Sequence, residues 1–209
     1  MPPLDISFET CAQQCAHHFA QNVETRQCPD QYVGLIGNLR IESPLSNRCP
    51  VSQRPSHPCV LLILESPHTE EFLGELGPAK GSTGRKIVRH LATGFPNMDV
   101  SDYGLILINA VQYQCSLGQA LNTYSARKVR DCVFHAVWDS GGGQDFGARL
   151  LNAYTPNDIV MSCCTKGVGS IHLRAVVRNR IDEVLPEVAV RYRGHPISWP
   201  RCLNRDWTE

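Results

Sequence analysis

Three polar side chains with complementary chemistry follow apolar runs of the chain. Glu65 and Asn109 each come directly after such a run, and His195 comes a few residues after another. A carboxylate, an amide and an imidazole that meet in one place can activate water, hydrogen-bond the edge of a base and stabilise a departing anion. We therefore predict that Glu65, Asn109 and His195 are the catalytic residues.

The elements that must bring these residues together are four short apolar runs alternating with segments of helical spacing. The apolar runs predict buried strands at residues 59–64, 103–111, 158–164 and 188–192. The helical spacing predicts helices at residues 85–92, 124–138, 146–154 and 170–185. This alternation predicts an α/β fold, specifically a three-layer α/β/α arrangement around a central, mainly parallel four-stranded sheet. In such sheets ligands bind beyond the carboxyl ends of the strands, where the three candidate residues fall.

The 209-residue chain has the length of one domain. Residues 1–58 are expected to form an N-terminal extension packed on that domain, with a helix at 7–24 and a Pro-, Ser- and Asn-rich loop at 42–58. No run of apolar residues approaches the length of a membrane span, and the first residues do not have the pattern of an export signal. We therefore expect a cytoplasmic protein with no membrane partner.

Positive charge is concentrated near the end of a chain whose formal net charge is zero. Residues 166–205 contain eight basic and three acidic side chains, and arginines outnumber lysines sixteen to four in the whole sequence. Arginine suits bidentate contacts with phosphate, so the distribution permits nucleic-acid binding without demanding it.

Ten cysteines are scattered through the chain, and in a reducing compartment most are expected to be buried thiols. Cys11, Cys15, Cys28 and Cys49 all precede the first predicted core strand. An iron–sulfur cluster on these four, or a zinc site that they share with a nearby histidine, is the less favoured alternative to core packing. We predict no cofactor and no metal in the chemistry.

Three motifs, taken in order, resemble those of the uracil-DNA glycosylase superfamily, and the resemblance covers residues 59–201. The segment Leu64-Glu65-Ser66-Pro67-His68 follows the first strand, as the family's water-activating motif does, and Gly77-Pro78-Ala79-Lys80-Gly81-Ser82-Thr83-Gly84 is similar to the glycine-rich segment after it. Leu107-Ile108-Asn109-Ala110-Val111 resembles the strand whose Asn reads the base. Gly194-His195-Pro196-Ile197-Ser198-Trp199 is similar to the family's His-Pro-Ser loop.

The resemblance implies a role for each candidate residue. Glu65 would activate or orient the attacking water, or stabilise the sugar cation; Asn109 would hydrogen-bond the flipped base, and His195 would support negative charge on it. Further substrate-binding residues are expected at Ser66, Pro67, His68, Ala79, Gln112 and Gln114. DNA contacts are expected at Lys80, Gly81, Ser82, Thr83, Arg193, Ser198, Trp199 and Arg201, with Trp199 as the wedge that enters the duplex.

Departures from the family pattern change the expected substrate. Ser66 stands where the most familiar branch has a catalytic Asp, Ala79 replaces the Phe on which uracil stacks, and His68 replaces the Tyr that excludes larger pyrimidines. Losing the stacking ring removes about 1 to 3 kcal/mol of binding per base. Plain uracil should therefore bind poorly. Some relatives in the superfamily excise heavily modified cytosines, including sugar-decorated ones, from phage DNA. By this resemblance we expect a monomeric DNA glycosylase that removes a bulky modified cytosine, such as glucosylated hydroxymethylcytosine, from phage DNA. A uracil or mismatch repair glycosylase and a non-catalytic binder of modified DNA are the alternatives.

Overall fold

The computed structural model describes residues 6–16, 23–40 and 48–202. Within them, six strands form one sheet in the order β2-β1-β4-β3-β5-β6. The strands are β1 (Gln31–Leu35), β2 (Cys49–Pro50), β3 (Cys59–Leu64), β4 (Gly104–Asn109), β5 (Ile159–Ser162) and β6 (Arg191–Tyr192).

The sheet is mixed. β4, β3, β5 and β6 pair in parallel, with Leu64 opposite Asn109 at the carboxyl end of the central pair, whereas β1 is antiparallel to both β2 and β4. The expected α/β fold is confirmed, but the expected four-stranded sheet is wrong because two N-terminal strands extend it. β1 contains Gly34 and a register irregularity, and β2 has only two residues including Pro50, so neither carries a clear apolar periodicity.

Helices cover both faces of the sheet. They are α1 (Phe8–Cys15), α2 (Ser82–His90), α3 (Tyr124–Val137), α4 (Gly143–Ala153), α5 (Leu173–Val184) and α6 (Trp199–Cys202). The first is shorter than expected, because Ala16 is already extended and ends it; residues 17–22 of the expected helix lie outside the described residues.

The two faces share the side chains of β3 by alternation. Its first, third and fifth residues pack in the cluster that contains the buried sides of α1, α3, α4 and α5, and the other three pack in the cluster that contains α2 and Trp199. All six side chains are buried, as a central parallel strand requires. This burial fixes the position of β3 in the sheet, and therefore the position of Glu65, which follows its last residue.

A disulfide between Cys15 and Cys132 joins the end of α1 to α3. Of the free cysteines that the structure describes, six are buried and Cys49 is partly exposed, in agreement with the expectation of mostly buried thiols. Across these same ranges, no helix combines the length and apolar character needed to cross a bilayer.

Candidate active site

A cleft of about 400 Å³ lies at the carboxyl edge of the parallel strands. Its walls come from the segments that follow β3, β4 and β6, from the first residues of α2 and from α3. Eight of the residues expected from the sequence line it: Glu65, Ser66, Pro67, His68, Gly81, Ser82, Thr83 and His195.

Glu65 is buried and both of its carboxylate oxygens are held. Oε1 accepts a hydrogen bond from Nη1 of Arg130 at 2.7 Å, and Oε2 accepts one from the backbone N–H of Thr165 at 2.8 Å. The backbone carbonyl of Glu65 accepts from Val111 at 2.9 Å, which continues the β3–β4 pairing beyond the strands. Arg130 and Thr165 therefore fix the carboxylate in position, and Val111 fixes the backbone that carries it.

Arg130 connects this carboxylate to a second one. Its Nε donates to Oδ1 of Asp131 at 2.5 Å, and the other oxygen of Asp131 accepts from the backbone N–H groups of Val168 and Gly169. Two carboxylates and one guanidinium leave this buried network with one net negative charge. Such a charge next to the cleft favours a positively charged species inside it.

Arg130 was missed by the sequence reasoning although the sequence contains a signal for it. α3 begins at Tyr124, where the Thr123 side chain caps the helix by accepting from the N–H of Ala126. Arg130 then lies four residues after Ala126 and four before Phe134, on the buried face of the helix. An arginine on that face needs an anionic partner.

His195 follows β6 and opens a short turn at residues 196–198. Its Nδ1 accepts a hydrogen bond from the N–H of Ile197 at 3.3 Å, which leaves the ring proton on Nε2. Burial lowers the pKa of His195, and the neighbouring Glu65 carboxylate opposes that change only in part. The ring is thus neutral at pH 7 and carries one N–H donor.

Asn109 does not line the cleft. It is buried, and its Nδ2 donates to Oε2 of Glu71 at 3.4 Å and to the sulfur of Cys28 at 3.7 Å. Its Oδ1 is buried with no hydrogen-bond partner among the described residues. The amide expected to read the base is therefore bonded to Glu71, a residue of the cleft, and does not line the cleft itself.

Glu71, which the sequence analysis did not identify, lines the cleft instead. It lies on the short turn Thr69–Phe72 and is 6% exposed. Burial raises the pKa of Glu71 to about 7, against the opposing effect of the Ala79 and His68 backbone N–H groups and of Asn109. Near neutral pH this group holds or releases a proton readily, which suits a participant in acid–base chemistry.

Ala79 is fully buried and does not line the cleft. Its φ of 54° is in the left-handed region, and its N–H faces the Glu71 carboxyl group. The expectation that Ala79 binds the substrate is therefore corrected, because this residue is buried against the carboxyl group of Glu71.

Gln112 and Gln114 are also buried away from the cleft. Gln112 contacts Asp30 and lines a separate depression, while Nε2 of Gln114 donates to Thr69 at 2.9 Å and its Oε1 accepts from the backbone of Glu24. These contacts correct the expectation of substrate binding: Gln114 instead holds the turn that carries Glu71.

The N-terminus of α2 faces the cleft through Gly81, Ser82 and Thr83. The carboxylate of Glu70 lies against Gly81, so closely that a Cβ at that position would overlap it. Lys80 donates to the backbone carbonyls of Leu73 and Glu75 and thereby closes the preceding loop. An incoming phosphate would meet a helix N-terminus that already has an anion beside it.

The exposed apolar side chain on the loop after β6 is not the one expected. Trp199 is 2% exposed, and its indole N–H donates to the carbonyl of Gly194 at 2.7 Å, so it packs against the sheet. The exposed apolar side chain on this loop is Ile197, which is 48% exposed and lines the cleft. The placement of the wedge at Trp199 is corrected accordingly.

The other expected DNA contacts on this segment differ in exposure. Ser198 donates its hydroxyl to the carbonyl of His195 at 2.7 Å and so stabilises the turn. Arg193 is buried and donates to the carbonyl of Tyr192, whereas Arg201 is exposed on α6. Of these three, Arg201 alone has the exposure that a phosphate contact needs.

The four N-terminal cysteines are occupied in separate surroundings. Cys15 is in the disulfide, Cys11 lies by Ser140, Cys28 by Glu71 and Asn109, and Cys49 by the carbonyl of Gln53. No group of three or more His, Cys, Asp or Glu side chains in the described ranges is arranged to hold a metal ion.

The cleft thus combines a fixed carboxylate, a neutral imidazole donor and a second carboxyl group that titrates near neutrality. This set can stabilise a cation, donate to a departing anion and bind a polar ring edge. No protein-family model, curated protein or solved structure matches the chain. The chemistry of the cleft is accordingly inferred from its own residues.

Proposed function

We propose that this protein is a monofunctional DNA glycosylase that hydrolyses the N-glycosidic bond of a base flipped out of DNA and leaves an abasic site. The observation that carries the proposal is that Glu65 and a neutral His195 line the same cleft at the carboxyl edge of the sheet. The motif resemblance and the parallel strands β3 to β6, with helices on both faces, support membership of the uracil-DNA glycosylase superfamily.

In the proposed reaction the bond between C1′ of the sugar and the base nitrogen breaks, and its electron pair leaves with the base. A water oxygen bonds to C1′, and the water proton is released. Glu65 stabilises the positive charge on the sugar and orients the water. Since Arg130 and Thr165 already hold its oxygens, we assign it these roles ahead of proton abstraction.

His195 acts on the other side of the breaking bond. Its Nε2–H donates to the base oxygen next to the glycosidic nitrogen, where negative charge develops as the bond breaks. A neutral imidazole performs this role without first losing a proton. Its orientation is set by the bond from Ile197 to Nδ1.

DNA is the proposed partner, bound by a monomeric cytoplasmic protein. Gly81, Ser82 and Thr83 at the start of α2 would hold a phosphate, after displacement of the Glu70 carboxylate. Ile197 would enter the space that the flipped base leaves, and Arg201 would contact a flanking phosphate. Flipping costs a few kcal/mol, which these contacts must offset.

A bulky modified cytosine, such as glucosylated hydroxymethylcytosine in phage DNA, is the proposed substrate. The cleft volume of about 400 Å³ falls in the range of sites for ligands larger than a bare pyrimidine. His68, at the position where a blocking Tyr is expected in the family, is exposed at this cleft and leaves room for a 5-substituent.

The test is an excision assay on otherwise identical duplexes that contain uracil, hydroxymethylcytosine or glucosylated hydroxymethylcytosine. Abasic sites are revealed by alkaline cleavage. We expect strand cleavage at a modified cytosine and none with Glu65→Gln. Excision of uracil alone would support a repair glycosylase, and failure to excise any of the three would contradict the proposal.

One observation favours a second function. A carboxylate whose two oxygens are held by Arg130 and Thr165 fits a protein that retains the fold to bind modified DNA without cleaving it. In that case the wild-type protein and Glu65→Gln would bind a modified duplex equally well, and neither would release a base.

A further inference from the structure

The cleft has a second acid whose chemistry the cleavage step does not use. We propose that Glu71 is the specificity-determining residue of this cleft, and that it selects a pyrimidine whose ring nitrogen is an acceptor beside an exocyclic amine. This is the edge that cytosine and its 5-substituted derivatives present. The inference rests on the proposed function and names the group that discriminates among its substrates.

The geometry puts Glu71 where a base-reading group must be. Glu71 lines the cleft with Glu65 and His195, whereas Asn109 does not line it and donates its amide N–H to Oε2 of Glu71. The thiol of Cys28 approaches the same oxygen at 4.0 Å, and the backbone N–H groups of Ala79 and His68 also donate to the carboxyl group. With Oε2 held as an acceptor, we place the proton of the neutral carboxyl group on Oε1, which donates it to the base.

A neutral carboxyl group held in this way presents one donor and one acceptor side by side. Cytosine presents the complement, because its N3 accepts and its N4 amine donates. Uracil in the same position presents N3–H to the donor and O4 to the acceptor, so both contacts become repulsive. The base cannot slide to avoid this, since its sugar is held at Glu65 and its O2 at His195.

The surroundings of Glu71 keep the neutral form available. Burial raises the pKa of Glu71 to about 7, and Arg48 is the cation that faces it, with Cys28 as the neighbouring thiol. In the ionised form Oε2 still accepts from the amine of cytosine, but Oε1 then accepts from N3–H of uracil, so each base has one favourable and one repulsive contact. The neutral form of Glu71 is therefore the form that disfavours uracil.

Ser116 is a second polar residue of the cleft wall that the cleavage step does not use. The hydroxyl of Ser116 is buried at the cleft wall and makes no hydrogen bond to the residues that the structure describes. Unsatisfied buried hydroxyls cost free energy unless a ligand or water pairs with them. Together with Glu71 it makes the wall of the cleft polar, as recognition of a hydrogen-bonding base requires.

The pyrimidine pair 5-hydroxymethylcytosine and 5-hydroxymethyluracil tests this inference, because the two bases differ only at the edge that Glu71 would read. Both are placed at the same site of one duplex sequence, and the two duplexes compete for one protein preparation. Their excision ratio is then independent of the folded fraction. A bidentate contact discriminates by about 1 to 3 kcal/mol, so at about pH 6, where Glu71 is mostly neutral, we expect a ratio of roughly 5 to 150 in favour of the cytosine.

Two variants complete the test. Glu71→Met fills a similar volume without polar atoms, and we expect the excision ratio to fall to within about threefold of one. Glu71→Gln keeps a donor and an acceptor in the same places and should retain the cytosine preference. Glu70→Gln, which changes the neighbouring carboxylate, should alter both substrates alike and leave the ratio unchanged.

The outcomes separate the two claims. Equal excision of both bases by the wild-type protein, or an unchanged ratio in Glu71→Met, overturns the assignment of Glu71 while leaving the glycosylase function intact. Loss of the preference in Glu71→Gln contradicts the paired donor and acceptor. If the wild-type protein releases neither base nor any other modified cytosine, the proposed function fails and this inference fails with it.

Discussion

The carboxyl group of Glu71 makes the stability of the protein depend on pH in a way that one substitution removes. Burial raises its pKa from the usual 4.5 to about 7, so the folded protein binds this proton more tightly than the unfolded chain does. The stability from this group is fully present below about pH 4.5 and is lost as the pH rises through about 7. Glu71→Gln is neutral at every pH and lacks this dependence.

The magnitude follows from the size of the pKa change. A pKa change of one corresponds to about 1.4 kcal/mol, so raising the pKa from 4.5 to about 7 changes the free energy of unfolding by about 3 kcal/mol in total. Between about pH 5 and about pH 8.5, Glu71→Gln should gain about 2 to 3 kcal/mol of unfolding free energy relative to the wild type. Arg48 and Cys28, which face this group, are the same in both proteins and cancel in the comparison.

Urea unfolding at the two pH values measures this difference. Glu70→Gln is the matched control, because it removes an exposed carboxyl group one residue away and should show no comparable change between the two pH values. A difference between wild type and Glu71→Gln that stays constant within about 0.5 kcal/mol across the pH range would refute the reasoning.

Three further predictions concern the walls of the cleft. Arg130→Met leaves the carboxylates of Glu65 and Asp131 buried without their cation, so urea unfolding should show a free energy of unfolding lower by about 3 to 5 kcal/mol. A decrease below about 1 kcal/mol would contradict a buried network. Glu70→Gln removes the anion beside the start of α2. A charge at a helix terminus changes the binding free energy by about 0.3 to 1 kcal/mol, so fluorescence anisotropy should show DNA binding tightened severalfold. Weaker binding would argue against a phosphate site. Ile197→Ala should slow excision from duplex DNA more than from single strands in parallel time courses, because only the duplex needs a wedge; equal slowing on both would show that Ile197 has another role.

The strands that position the site were predictable, and the edge of the sheet was not. β3 and β4 are continuous apolar runs because parallel strands are buried on both faces, and that burial places Glu65 and Asn109 at their ends. β1 escaped prediction because Gly34 and a register irregularity interrupt it, and β2 because an edge strand of two residues needs no such run. Pro50, which cannot donate to a neighbouring strand, is tolerated there.

The site was predicted in part, and each miss has a physical reason. The end of a strand fixes where a backbone leaves the sheet, but the direction of a side chain depends on what packs around it. Asn109 donates its amide hydrogen bond to Glu71, and Trp199 donates its indole N–H to the carbonyl of Gly194. Because both donors are used within the protein, neither side chain faces the cleft as expected. Glu71 lies on a single turn with no periodic pattern, so only the tertiary structure reveals it.

The most direct test of the central claim is single-turnover release of the free base, with wild-type protein in excess over a duplex that contains glucosylated hydroxymethylcytosine. Mass spectrometry of the products identifies both the released base and the abasic strand. We expect the wild type to yield both in equal amounts, and Glu65→Gln to bind the duplex but yield neither. Release of the base by Glu65→Gln at the wild-type rate, or an intact duplex after incubation with the wild type, would contradict the claim.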